Sequence, residues 1–366
     1  MLFSLIVFLI VLSVLVFFHE FGHFIAAKKS GIKVEEFGFG YPPRIWGKKV
    51  GETIYSINWI PFGGFVRLLG QESRQRKGID KKELDRAFFT QSKKARVIVL
   101  LAGVLGNFLL GILCFALIYS KIGIPKQLDY LKVMEVVDDS PADKAGLKKD
   151  DHLIAVNNQK TASVENFVQI VEENQGKEIV LKTSRGQFTL VPRQDPPENQ
   201  GRLGVVITDM EMVFYPWWQM PFLGIWEGTK EAFGWTKMVI DGLVLSVQQL
   251  VTGVVPEVAG PIGIFQLTSQ AAQQGILQLL QFVGILSVNL AVLNLLPLPP
   301  LDGCHLVFVF IGDFLGEKRR EKVEHVLEIF AFVFLVSLMV LVTINDLRRI
   351  FQNLAIFSFF KKILPF

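Results

Sequence analysis

Histidine is scarce in this chain and cysteine scarcer: five histidines and two cysteines occur in 366 residues. Cys114 and Cys304 lie far apart, beside apolar segments, which argues against a disulfide framework and leaves redox chemistry silent about the compartment. Charge is sparse as well. Charged residues make up 20% of the chain, and the formal net charge of +4 is too small to point to nucleic acid, which is not expected as a partner. No internal repeat or low-complexity linker interrupts the sequence. The N-terminus lacks a basic leader, and no small-residue cleavage site follows its apolar run, so it reads as a retained membrane helix.

Apolar residues are what the chain has in excess: 51% are hydrophobic, 32 of them phenylalanine. That composition fits a polytopic membrane protein with a soluble portion. Four segments are long and apolar enough to span, near residues 2–27, 97–119, 277–301 and 326–344. Between the first two, from Lys28 to Arg96, stand 16 basic residues against 7 acidic ones, which makes that loop cytoplasmic and leaves residues 120–276 outside. Lys318, Arg319, Arg320 and Lys322 place the loop before the fourth span inside as well. Arg348, Arg349, Lys361 and Lys362 would then lie outside, unless the tail runs along the interface.

The expected fold is a polytopic α-helical membrane protein with about four transmembrane helices, a membrane-associated β-sheet and an extracytoplasmic α+β domain. Residues 1–27 form the first span. Residues 28–96 form a cytoplasmic loop whose aromatic and β-branched alternation, broken by Gly and Pro, predicts the sheet. Residues 97–120 are the second span and 121–210 the α+β domain. In that domain KVMEVV, HLIAVN, EIVLKT and QFTLVP read as strands and SVENFVQIVEEN as a helix. Its SPADKAGL and DDHLIAVNN stretches resemble a bacterial, circularly permuted PDZ domain. Residues 211–276, rich in Trp and Phe, read as helices on the outer membrane surface without spanning length. Residues 277–303 are the third span, 304–325 a cytoplasmic loop, 326–345 the fourth span and 346–366 an amphipathic tail.

Inside the first span stands His19-Glu20-Phe21-Gly22-His23. Ionisable groups are costly in hydrocarbon and there usually serve function. Residues four apart share a helix face, so His19 and His23 can present two nitrogens to one metal ion. Glu20 points beside the metal, where it can act as general base on a water; this is the H-E-x-x-H arrangement of zinc hydrolases. Five residues separate His23 from Lys28, or roughly 7–8 Å of helix, which puts the site within the membrane on its cytoplasmic side. A zinc site of this kind takes a third protein ligand. Asp302, in the Asn294–Leu306 stretch NLLPLPPLDGCHL, reaches the same depth, and Pro297, Pro299 and Pro300 break its helix against protein or water. Cys304 and His305 are rival ligands. His152 and His325 read as structural.

Together, HEFGH in a first span, N-x-x-P-x-P-x-L-D-G in a third and a PDZ-like domain between them resemble the site-2 protease family, in its bacterial branch. AGVLGNFLLG (Ala102–Gly111) and VAGPIGI (Val258–Ile264) add to the resemblance, which covers essentially the whole chain. It implies zinc-dependent cleavage of a peptide bond within a transmembrane helix, with His19, His23 and Asp302 on Zn2+ and Glu20 as base. Asn294, in the N-x-x-P motif with Pro297, would bond the substrate backbone. Gly38, Phe39 and Gly40 resemble the membrane-facing β-loop that holds substrate as an added strand. The implied setting is the bacterial inner membrane, and the implied partners are transmembrane or signal-peptide substrates, lipid, and peptide C-termini at the PDZ domain. Two departures stand out: Cys304 replaces the family's usual Gly, and there is room for one PDZ domain where well-known relatives have two. A non-catalytic PDZ scaffold would have no need of Glu20. A metal transporter would need a polar path across the membrane, whereas the second and fourth spans carry Asn107 but no buried charge.

Overall fold

A computed structural model describes residues 2–71, 78–161, 163–197, 200–254, 260–298 and 301–315, with scattered positions between 326 and 343. Most of the expected fourth span, the tail, His325, Pro299, Pro300 and part of the 258–264 stretch lie outside the described residues. The chain divides into two compact units, one of residues 1–119 with 222–366 and one of residues 120–221.

Among the described residues of the first unit, three helices are long and apolar enough to cross a membrane: α1 (Leu2–Lys29), α2 (Lys93–Ile122) and α7 (Ile276–Leu295). In hydrocarbon every backbone polar group must be satisfied within the segment, which a helix achieves and an irregular chain does not. Lipid supplies no hydrophobic drive between helices, so they associate by close packing at small residues. Gly22 and Gly106 form such a seam between α1 and α2. A Cβ at Gly22 would lie 2.1 Å from the Ala102 carbonyl oxygen, and one at Gly106 2.4 Å from that of Phe18. Toward α7, Ser287 Oγ donates to the Asn107 carbonyl at 2.8 Å. A short helix, α6 (Pro261–Gln274), meets the start of α1 through Phe8 and Phe265, whose rings lie edge to face at 5.5 Å.

Three expectations change here. The 211–276 stretch contains one helix of 32 residues, α5 (Met220–Val251), rather than only short surface pieces. Charges at Glu227, Lys230, Glu231, Lys237 and Asp241 lower its hydropathy and hide its length. The helix is nonetheless held to α2: Phe233 meets Phe108 at 5.2 Å, and Glu231 accepts from Tyr119, while Trp235 of the same helix donates to its other oxygen. The third span ends as a helix at Leu295, not at residue 303. The 304–325 segment, read as a loop, is helical through Leu315 in α8 (Asp302–Leu315).

Between α1 and α2 the chain forms β1 (Val34–Val50) and β2 (Thr53–Leu68), an antiparallel pair with several register shifts. The bends let β2 flank part of β1 on both sides, so that Phe37 faces Val66 and also Tyr55. The ribbon lies on α1, where Phe17, Phe21 and Phe24 meet Phe37. Its turn is tied down by Glu52, which accepts from Lys28 at 3.0 Å and from Arg86 at 2.6 and 2.8 Å. The Arg86 guanidinium, with Lys28, holds the Glu52 carboxyl down at about 2.

The second unit is an antiparallel sheet in the order β7-β6-β4-β3-β8, with a short β5 beside β4. Its strands are β3 (Ile124–Val136), β4 (His152–Val156), β5 (Gln159–Lys160), β6 (Ile179–Thr183), β7 (Gly186–Leu190) and β8 (Val205–Val213). The four strand-like stretches of the sequence fall on β3, β4, β6 and β7. Alternating inward residues, among them Leu131, Val133, Leu153, Ile179 and Leu181, build the core with Phe167 and Ile170 of α4 (Val164–Glu173). Ser140 and Ser163 cap α3 (Pro141–Lys144) and α4 by accepting from the amides of Asp143 and Asn166. Asp151, only 2% exposed, accepts from the Arg185 guanidinium and the Lys148 amide.

Arg185 holds the Asp151 carboxyl below its usual 3.8. A carboxyl depressed by folding stabilises above its unfolded pKa and loses that contribution as pH falls through the folded one. Asp151→Asn should therefore speed amide exchange of β4 and β6 at neutral pH, by a loss of about 1.5–3 kcal/mol. Hydrogen–deuterium exchange of the full chain should show the difference from the parent shrink below pH 3.8.

Candidate metal centre

The HEFGH stretch lies on α1, one helical turn carrying both histidines. His23 Nδ1 donates to the Val99 carbonyl of α2 at 2.8 Å. That bond fixes the tautomer and leaves Nε2 with its lone pair turned inward. The Asn294 side-chain amide, 8% exposed near the end of α7, lies 3.5 Å from His19 Nδ1. Gly103 of α2 forms the floor under both rings, since a Cβ there would lie 2.3 Å from His23 Nε2 and 2.8 Å from His19 Cε1.

Leu296, extended after the last turn of α7, begins the break, and α8 opens on Asp302. A carboxylate in the first turn suits the positive end of the helix dipole. Asp302 Oδ2 lies 3.2 Å from His19 Nε2 and 3.1 Å from His23 Nε2, and the two nitrogens are 3.2 Å apart. A tetrahedral zinc with bonds of about 2.0–2.1 Å has ligand-to-ligand edges of about 3.3–3.4 Å. The three atoms thus outline one face of such a tetrahedron within 0.2–0.3 Å or so. Asp302 Oδ2 is buried and has no hydrogen-bond partner, an unsatisfied state that a cation would relieve. Side-chain exposures of 12, 8 and 15% for His19, His23 and Asp302 keep bulk water away. Among the described residues these three are the one group of metal-type side chains gathered to a common point, and Cys304 and His305 are not in it.

Glu20 is held from the other side. Its Oε2 accepts from the Val66 backbone amide of β2 at 3.0 Å. Gly38 to Gly40 lie elsewhere in the ribbon. Their backbone lies inside the ribbon, with Gly38 opposite Phe65 on one side and Ser56 on the other, and Asn58 donates to the Phe39 and Gly40 carbonyls. The sheet backbone facing Glu20 is that of Val66. Pro297 is exposed in the loop between α7 and α8. His152 stacks on Tyr130 in the second unit, with ring centroids 4.1 Å apart.

Val66, Val99 and Gly103 were not singled out from the sequence. Two of them act through backbone atoms, which leave no mark on residue identity. Gly103 and Gly106 carry the signal of small residues on one face of a membrane helix.

A sequence model of peptidase family M50 matches residues 7–338. The chain belongs to this family. It is similar to a Clostridium perfringens protein, CPE1693, provisionally named a zinc metalloprotease, with 32% identity over 342 residues, 93% of this chain and 97% of the other. It is 28% identical over 429 residues to the zinc metalloprotease RasP of Oceanobacillus iheyensis and over 428 residues to the regulator of sigma-W protease RasP of Bacillus subtilis; each match covers 95% of this chain and 99% of the relative. As an M50 member the chain is a zinc metalloendopeptidase of the site-2 protease type and an integral membrane protein.

The floor under the imidazoles gives a direct test. Gly103→Ala should abolish stoichiometric zinc while the protein stays helical and monodisperse in detergent, as read by metal analysis and circular dichroism. Zinc retained at the parent level would mean that α1 and α2 separate easily here.

Proposed function

We propose that this M50 enzyme cleaves peptide bonds within the transmembrane segments of single-span substrates, with His19, His23 and Asp302 holding zinc and Glu20 as general base. The observation that carries this reading is the 3.1–3.2 Å triangle of His19, His23 and Asp302 beside Glu20, on helices of membrane-spanning character. Zinc bound there supplies a polarised scissile carbonyl and a water pKa lowered to about 7. Glu20 takes the proton of the attacking water and returns it to the departing amine. The Val66 amide aims Glu20 by holding one of its oxygens. Asn294 orients the His19 ring and offers the rest of its amide to the substrate backbone. A helical substrate must unwind to be cut, and the ribbon of β1 and β2, with Gly38, Phe39 and Gly40 in its middle, supplies strand-type partners for the freed backbone.

The second unit, in this reading, is a circularly permuted PDZ domain outside the membrane. Its sheet ends in β8, and a hollow of about 320 Å³ between β8 and α4 is lined by Phe167, Val171, Leu203 and Ile207, which suits an extended peptide end. Substrates would be spans already trimmed outside the membrane, anti-sigma factors or remnant signal peptides among them. The sigma-W role in the name of the Bacillus subtilis relative supports the first class. The domain would turn away substrates whose outer parts are still bulky.

Metal content and cleavage of a short single-span substrate separate the roles. Glu20→Gln should keep about one zinc per chain and lose activity about 10²–10⁴-fold. Asp302→Ala should lose both zinc and activity, and His305→Ala should spare zinc; the reverse pattern would sink the ligand assignment. Deleting residues 131–193 should let the enzyme cut an untrimmed substrate that the parent refuses. Continued refusal would remove the size-filter role.

A further inference from the structure

Along the lipid-facing side of α1 runs a hollow of about 380 Å³, lined by Ile6, Ile10, Ser13 and Phe17 from the helix and by Phe39 and Pro61 from the ribbon. We propose that this groove docks the substrate's transmembrane helix and holds it helical up to the point of cleavage. The proposal rests on the protease reading and adds the surface that receives the substrate.

Positions 6, 10, 13 and 17 fall on one stripe of a helix. From Ile6 to Phe17 the groove is about 16 Å long, roughly half the hydrocarbon thickness. Its walls are apolar side chains, several of them well exposed: Ile6 at 48%, Ile10 at 56% and Phe39 at 40%. The one polar side chain, Ser13, is buried and donates to the Pro61 carbonyl at 3.3 Å, a bond that also joins the ribbon to α1. The groove therefore offers no hydrogen bond to a guest. A polypeptide lying there must satisfy its own backbone, so only a helix can stay in it at low cost.

The lower end is different. Phe17 stands less than one turn before Glu20 and stacks on Phe21 at 5.6 Å. Pro61, on the other wall, belongs to β2, the strand that also carries Val66 and its amide beside Glu20. The apolar wall thus gives way, along β2, to strand backbone that reaches the catalytic carboxylate at Val66. A guest leaving an apolar trough for a strand edge exchanges internal helix bonds for bonds to the sheet. The groove and the ribbon together would divide the substrate into a part kept helical and a part drawn straight. Only one face of a guest helix fits 380 Å³, so the groove should read apolar side chains at helical spacing on the substrate.

The test uses the full-length protein in proteoliposomes with a single-span substrate bearing one cysteine in its apolar stretch. In the Glu20→Gln background, Ile10→Cys should cross-link to the substrate through a short bis-maleimide well above the level set by the native cysteines. Leu109→Cys, on an exposed face of α2, should not. In the active enzyme Ile10→Trp should raise KM for the transmembrane substrate at least tenfold, with kcat and zinc content within twofold of the parent. Equal cross-linking at both positions, or none at Ile10→Cys, would overturn the proposal. So would an Ile10→Trp enzyme of unchanged KM, which would assign the groove to a lipid acyl chain. Cross-linking at Ile10→Cys with a parent that cleaves nothing would overturn the protease reading and leave the docking groove standing.

Discussion

The cost of keeping ionisable groups among apolar helices governs this architecture. Two imidazoles and two carboxylates sit among helices whose own sequences favour lipid, and every one of them must be matched inside the protein. The match is made largely with main-chain atoms. The Val99 carbonyl takes the His23 proton, the Val66 amide takes one oxygen of Glu20, and the start of α8 presents Asp302. Those atoms are within reach only because α1 and α2 touch at Gly22 and Gly106 and because a strand lies against α1 at the depth of the histidines. Separating the helices by one methyl group would leave buried polar groups unpaired among apolar side chains.

The ribbon of β1 and β2 is the least usual part of such a protein, since open strand edges are avoided in lipid. Here one backbone group of the ribbon, the Val66 amide, serves the site by holding Glu20. Its Glu36 is buried and neutralised by Arg44 and Arg67, and its turn is anchored by Glu52. These ion pairs hold the strands in register without the flanking strands that a soluble sheet would have.

Much of the site could be read from side chains. HEFGH and Asp302 carry chemistry that has few other uses at that depth, and the prolines after Asn294 marked the break that frees Asp302 from α7. The helix α5 escaped because its charges are spread along it, and Tyr119 of α2, which donates to Glu231, is a tertiary partner that local sequence does not reveal. The continuation of α8 past Cys304 escaped because Gly303 resembles the end of an element, although Asp302 suits the first turn of one. The position of Gly38 to Gly40 inside the ribbon was hidden by the double flanking of β1, which local alternation does not encode.

The proposed ligands stand at residues 19, 23 and 302, so some three quarters of the chain separates the second from the third. A chain still being synthesised carries the two imidazoles of α1 from the start but has no third donor until α7 has been inserted and α8 has begun. Zinc held by two neutral nitrogens alone would be loose and exchangeable. A zinc metalloprotease built this way is kept inert through most of its own synthesis, and its ligand set closes only when the start of α8 is in place.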